Sequence, residues 1–413
     1  MNSPAIEWQE PGAGQKSGWG SFRRGLTRYD RYMEDQGIPI YRDIGARQVR
    51  DLPLVHWDRV GGNASFIQLF GTEGKWGMYL VEIPPAGALN VERHLYEKIV
   101  FVVEGRGSTE VWQQDEKRKK TFEWAAGSLF AIPLNATHRL VNATNERCLL
   151  LCGTTAPNII NLMQDVDFVF NCDYAFTSQF DENDDFYEPK DLLQPDPVRG
   201  LAMMRTNLIP DLVNATLPRD NRRSPGYRRI EPHMASENFY MFCGEHETGR
   251  YSKAHKHASG AVLICISGAG FTYTWPETLG PTPWQDGLAD KVMMQEYEPV
   301  GMVSAAPMNG AWFHQHFGVS KQPLRLLALF GPSDDHRRGG RPGEENKDYS
   351  SIDIKEGGIA VEYRDEDPHI KQEYARRLAL VGAASRMTAE VYEAKFEFAA
   401  RQEDGPDGKA GQA

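Results

Sequence analysis

Cysteine is scarce in this chain of 413 residues: there are five, at Cys148, Cys152, Cys172, Cys243 and Cys265, an odd number with no C-x-x-C pair among them. That excludes a disulfide framework and a cysteine zinc site as organising features, and reduced structural thiols are expected. Positive charge is in deficit, with 46 lysines and arginines against 57 aspartates and glutamates, a net charge of −11. Such a surface repels phosphate backbones and anionic lipid, so neither nucleic acid nor a membrane is expected as a partner. No stretch approaches a membrane-spanning run of apolar residues, and the opening MNSPAIEWQEPGAGQKSGWG has no basic segment followed by an apolar one. A cytoplasmic location is the expectation. Also missing are the G-x-x-x-x-G-K-[ST] phosphate loop, the G-x-S-x-G nucleophile elbow and the H-E-x-x-H zinc helix.

What the chain does have is 39 glycines, 25 prolines and an apolar fraction of 40%, arranged as short β-branched and aromatic runs between turns. Such runs lie at 65–70, 77–83, 99–103, 109–113, 128–132 and 147–152, and again at 238–243, 261–267, 271–275, 301–306 and 324–330. Few helical patterns intervene, which points to antiparallel sandwiches or barrels. The two sets are related. VFVVEGRGSTEVW (100–112) aligns with LICISGAGFTYTW (263–275), and GSLFAIP (127–133) with GMVSAAP (301–307), the mark of one β unit present twice. The fold expected is mainly β, two barrels with a few peripheral helices. Its divisions are an N-terminal extension with a helix near 27–36 (1–50), a first barrel (51–160), a connector (161–230), a second barrel (231–335), and a charged loop, helices and a disordered tail (336–413).

Eleven histidines are present, and four of them form two H-x-H pairs, His255/His257 and His314/His316. On a strand, positions i and i+2 share a face, so each pair sends two imidazoles to one side of a sheet. Several buried imidazoles converging on one point are most simply held by a transition metal.

Around these pairs the chain resembles the cupin superfamily, whose motifs are G-x5-H-x-H-x(3,4)-E-x6-G and G-x5-P-x-G-x2-H-x3-N. In the second copy Gly249, His255, His257 and Gly268 fit the first motif, with Ala261 in the glutamate slot; Gly301 and Pro307 open the second motif, and a loop two residues longer brings His314 to the ligand slot. In the first copy Gly127, Pro133, His138 and Asn142 complete the second motif, whereas the first motif is altered, with Glu92 and His94 in the histidine slots and Lys98 in the glutamate slot. The resemblance implies a bicupin, two double-stranded β-helix barrels, with a metal on His255, His257 and His314. His316 is a candidate catalytic residue that could replace His314, act as a fourth ligand, or bond to substrate or dioxygen.

Three neutral ligands leave a divalent ion its full charge and favour an anionic, bidentate oxygen ligand. Relatives of the gentisate and diketone dioxygenase type use three-histidine iron, so the resemblance implies Fe(II), with Mn, Ni or Zn as alternatives, and an oxidoreductase acting on a small anionic substrate with O2. Oxalate decarboxylases and germins use manganese with the glutamate, and Ala261 weighs against that reading. A non-redox isomerase, lyase or hydrolase and a non-catalytic binding or storage protein remain as alternatives. Arg325 and Arg250 could pair with a substrate carboxylate, and Tyr273, Trp275 and Trp312, with Phe313 and Phe317, could wall a substrate pocket. A candidate second metal site comprises His94, His138 and Glu92 or Glu97, opposed by the charge of Lys98. Cupin relatives often self-associate, so a homo-oligomer is expected.

Overall fold

The computed structural model describes residues 26–113, 118–180, 183–190, 193–196, 200–220, 223–235, 238–258, 260–308, 310–332 and 351–393. The expected charged loop at 336–348 and the C-terminal tail lie outside these residues, except for the segment from 351. The chain forms two barrels, each of two facing sheets. In the first, one sheet runs in the order Ile40–Tyr41, Gly62–Ile67, Gly77–Ile83, Cys148–Thr154, Lys98–Glu104, Leu129–Ile132, Leu208–Ile209, with Val55–Trp57 also on Gly62–Ile67. It faces Thr137–Asn142, Arg106–Trp112 and Lys119–Ala125. The second barrel repeats the plan. Leu324–Pro332 lies between Phe239–His246 and Val262–Ser267 as Cys148–Thr154 lies between Gly77–Ile83 and Lys98–Glu104, and the facing sheet runs His255–Ala258, Ala311–Gly318, Gly270–Pro276, Met293–Tyr297. The duplicated architecture read from the repeat is therefore the one observed.

The two larger sheets are apolar on both faces, which is why their strands read as unbroken runs rather than alternating ones. Along Leu324–Pro332, Leu324, Leu326 and Ala328 fill the second barrel, while Leu327 and Leu329 pack with Leu149 and Leu151 in a core shared by both barrels. Cys148, Leu150 and Cys152 fill the first barrel in the same way. Burial of each such leucine contributes roughly 1.5–3 kcal/mol, so the shared core ties the barrels into one body. The Trp76 indole N–H donates to Gly260 O at 2.6 Å across the same junction.

Segments expected as extension and connector turn out to donate strands to both barrels. Ile40–Tyr41 pairs with Phe66–Ile67 of the first, whereas Gly45–Ala46, a few residues on, pairs with Met302–Val303 of the second. From the connector, Leu208–Ile209 joins the first barrel and Arg228–His233 the second. The expected helix near 27–36 is Arg28–Asp35, closed by a reciprocal Thr27–Asp30 cap and ended at Gly37, which has φ +69°. Helical spacing at 371–386 predicts a helix there; the one observed is Pro368–Leu380, which starts earlier because Asp367 caps it and Pro368 takes its first position, and which ends six residues short of 386. Ile370, Tyr374 and Leu378 of that helix cover the outer face of the sheet that carries the histidines. Among the described residues no helix is long and apolar enough to cross a membrane.

Candidate metal centre

Strand register, which the sequence alone does not reveal, decides what the histidines can do. His255 is the direct cross-strand partner of His314, and His257 of Trp312; Thr274 pairs with His314 and Thr272 with His316 on the other side. Alternation then puts His255, His257, Thr272, Thr274, Trp312, His314 and His316 on the inner face of the barrel. One nitrogen from each of His255, His257 and His314 lies within 4.8 Å of the others, and the Nε2 atoms of His255 and His314 are 3.0 Å apart. His255 and His314 are buried and His257 is half-buried.

Each of the three rings turns Nδ1 to a backbone carbonyl: His255 to Lys253 O at 3.3 Å, His257 to Ala258 O at 2.7 Å and His314 to Trp312 O at 3.4 Å. A carbonyl only accepts, so Nδ1 carries the proton and Nε2 presents a lone pair to the centre. Two facing lone pairs repel unless something between them accepts both. A separation of 3.0 Å is what two adjacent imidazoles need to share one ion at a bond length of roughly 2.1 Å. Burial first, and then Arg223 and the neighbouring rings, hold His255 well below the usual imidazole range. His314 is held down by burial and by His255 and His257, and His257 is pushed down to about 4, chiefly by burial. Neutral, correctly oriented donors fit a borderline metal such as Fe(II), Mn, Ni or Zn.

His316 stands beside the triad rather than in it, its ring centroid 5.3 Å from that of His314 and its Nδ1 2.7 Å from the Thr272 hydroxyl. Thr272 in turn lies 3.1 Å from the Tyr297 hydroxyl. Two further residues on this side are not legible in the sequence. Arg223, from the RDNRR run of the connector, brings Nη1 to 3.0 Å from His255 Nε2. His246, at the end of Phe239–His246, packs against Tyr227 at 4.9 Å between centroids, and its Nδ1 is buried without a partner. No spacing rule marks either, because both belong to segments outside the H-x-H strands.

Other expected site residues lie elsewhere. Tyr273 and Trp275 alternate with the inward threonines and face outward, packed with Phe313, Phe317, Tyr374 and Leu378 beneath the C-terminal helix; only Trp312 of the three shares the histidine face. Arg325 points away from the barrel interior, its guanidinium bonded to Glu245 and to the carbonyls of Leu212 and Ala215 at 2.9 Å each. It is a strut between barrel and connector, with four of its five N–H groups bonded on the face turned away from the centre. Arg250 pairs with Glu247 at 2.9 Å.

In the first barrel the equivalent positions are occupied differently. Glu92 bridges to His138 as His255 pairs with His314, and Lys98 stands at the position of Ala261. The Lys98 ammonium lies 3.0 Å from Glu92 Oε2 and 2.9 Å from His138 Nε2, and the side chain is 2% exposed. His138 turns Nδ1 to Ala136 O at 3.1 Å, so its Nε2 accepts from the lysine. An internal cation thus occupies the space a metal would take, and the candidate second site of His94, His138 and Glu92 is filled by the protein itself. Glu97 is engaged elsewhere, with Asn238.

Buried neutral histidines make a pH prediction. Burial and then Lys98 push His138 down to about 3; burial and then Arg223 push His246 to about 3. Between pH 6.5 and about 3 the unfolded chain binds protons that these rings refuse in the fold. Their contribution is fully present above pH 6.5 and is lost as pH falls, on the order of 2 kcal/mol each by pH 5. Urea unfolding of metal-free protein is expected to show a clearly lower midpoint at pH 5 than at pH 7.5; equal midpoints would contradict neutral burial.

Among known proteins, residues 79–153 match the cupin domain family, and no curated protein matches the chain. Similar solved structures include the 7S globulin of Momordica charantia, at 15% identity and a TM-score of 0.42 over 68% of this chain and 81% of that one. A mutant form of Bacillus subtilis oxalate decarboxylase is similar at 11% identity and a TM-score of 0.43, over 69% and 76%. The match to the cupin domain family thus lies within the first barrel, and the second barrel repeats that barrel's strand order.

Proposed function

We propose that the second barrel binds one Fe(II) ion through His255, His257 and His314 and serves a dioxygenase that cleaves a carbon–carbon bond of a small anionic, aromatic or enolisable substrate. The observation that carries this reading is the convergence of three Nε2 lone pairs whose Nδ1 atoms are all committed to backbone carbonyls. Iron, when bound, supplies the redox chemistry that lets dioxygen react with an organic molecule, with both oxygen atoms entering the product and no external reductant required. Manganese, nickel and zinc fit the same nitrogens.

The protein's own contribution is binding and electrostatics. The carbonyls of Lys253, Ala258 and Trp312 fix the three rings so that no reorganisation is needed. A ligand set without a carboxylate leaves the centre strongly positive, and Arg223 adds a guanidinium beside His255. With His255 Nε2 committed to a metal, the Arg223 guanidinium would be free to pair with a substrate carboxylate or enolate. Thr272 holds the His316 ring through Nδ1, placing a neutral imidazole next to the reacting molecule. The interior behind them, lined by Leu263, Cys265, Val303, Leu326 and Ala328, excludes water and strengthens each of these interactions.

The test is elemental analysis of the purified protein together with oxygen uptake on a panel of aromatic hydroxy-acids and β-diketones. Near-stoichiometric iron with substrate-dependent uptake is expected. Turnover that proceeds equally without air would replace the dioxygenase by a lyase or isomerase at the same centre, and absence of metal would remove the enzyme reading. Arg223→Gln is expected to raise KM by about tenfold with little change in kcat, the loss of one charge-assisted hydrogen bond.

A further inference from the structure

The mouth of the first barrel holds more positive charge than it balances. Glu92 is the buried carboxylate there, and each of its oxygens is already taken: Oε2 by Lys98 at 3.0 Å, Oε1 by Arg59 Nη2 at 3.4 Å. The nearby imidazoles of His94 and His138 are neutral, held down chiefly by burial and by Lys98, while Glu92, despite its burial, is kept ionised by Lys98 and Arg59. Two cations thus share one carboxylate, and the Arg59 side chain, 24% exposed, is open to an anion from outside.

The Tyr32 hydroxyl adjoins the Arg59 side chain, and neither Arg59 Nε nor that hydroxyl has a well-aligned partner elsewhere. Both residues line a cavity of about 630 Å³ that Glu92, Val91 and Phe170 also border. The Arg59 guanidinium carbon lies over Phe170 at 3.4 Å from the ring centroid, and the Tyr32 ring packs against the same phenylalanine at 5.7 Å. Stacking fixes the plane of the guanidinium and leaves its edge to receive an anion. At the rim, Arg28 and Arg93 are offset by Asp165 and Asp167, and those aspartates are engaged with their own helix, accepting from Phe168 N and Asn171. A rim balanced in this way does not favour a multiply charged phosphate.

We infer that this cavity is a second ligand site, for a small organic monocarboxylate whose carboxylate is received by Arg59 and Tyr32 and whose apolar body lies against Phe170 and Val91. It is separate from the histidine centre and does not depend on the metal. The internal lysine of the first barrel thereby has a purpose: it supplies the fixed charge that a metal would otherwise supply and leaves the adjoining guanidinium in surplus.

Calorimetric titration of the full chain, stripped of metal, with benzoate and with neutral benzamide is the test. One equivalent of benzoate is expected to bind at least about tenfold more tightly than benzamide, from the charge-assisted bonds it alone can make. Arg59→Gln should weaken that binding by about tenfold or more and Tyr32→Phe by a few-fold, while Arg223→Gln leaves it unchanged. Failure of the wild-type chain to bind benzoate, equal binding of benzamide, or loss on Arg223→Gln with none on Arg59→Gln would each overturn the proposal. If Arg59→Gln loses its near-ultraviolet circular dichroism, Tyr32→Phe decides: unchanged affinity overturns the site.

Discussion

Lys98→Ala should convert the first barrel into a metal site. Removing the ammonium leaves Glu92 Oε2 and His138 Nε2 3.8 Å apart, a span that one ion with bonds of roughly 2.1 Å can bridge. His94 Nε2, though buried without a partner and with its Nδ1 held by Tyr96 O at 2.9 Å, does not converge with these two atoms as the imidazoles of the second barrel do, so the new site rests on two protein donors. Bound zinc or nickel is expected to rise from one to two equivalents per chain, measured by elemental analysis after gel filtration. Without metal the same variant should lose stability, because a buried carboxylate deprived of its nearest cation costs about 3–5 kcal/mol. Added metal should restore much of the loss, seen as a rise in the unfolding midpoint larger than in the wild type. Persistence of a single equivalent would show that Lys98 does not stand in for an ion.

His314→Ala is the second large effect. It removes the ring that faces His255 across the strand pair and leaves two nitrogens of the three. Bound metal is expected to fall from one equivalent to below about a tenth, and turnover by well over the 10–100-fold that loss of an outer hydrogen-bond partner costs. His316→Ala, one pleat along the same strand, should keep its metal and lose turnover. The reverse pattern would make His316 the ligand and His314 its neighbour.

The duplicated β architecture is open to reading because its strands announce themselves twice, with matching turn glycines at Gly105 and Gly268 that both adopt positive φ. His255, His257 and His314 can be proposed as a set because the strand period puts i and i+2 on one face, and Lys98 can be recognised as an intruder from its slot alone. Pairing across strands is not accessible in this way. The stretch GFTYTWP offers either its aromatics or its threonines to the barrel interior, and only the register Thr274 to His314 decides for the threonines. Tyr273 and Trp275 therefore face away from the centre, against expectation. Arg325 reads as a stray charge in an apolar strand, yet the carbonyls that hold it come from Leu212 and Ala215, more than a hundred residues away. Arg223 and His246 reach the centre from segments with no motif, Arg223 by way of the connector's pairing with the second barrel and His246 from the end of a strand paired with Leu324–Pro332.

The asymmetry between the barrels, three converging imidazoles with a guanidinium at the edge of one of them against an ammonium bonded to both Glu92 and His138, is the claim on which the rest depends. Anomalous diffraction from crystals of the iron-loaded protein tests it most directly. One peak is expected, within roughly 2.0–2.2 Å of the Nε2 atoms of His255, His257 and His314, with none between Glu92 and His138. A peak in the first barrel, or an ion bound without the three imidazoles, would contradict the account.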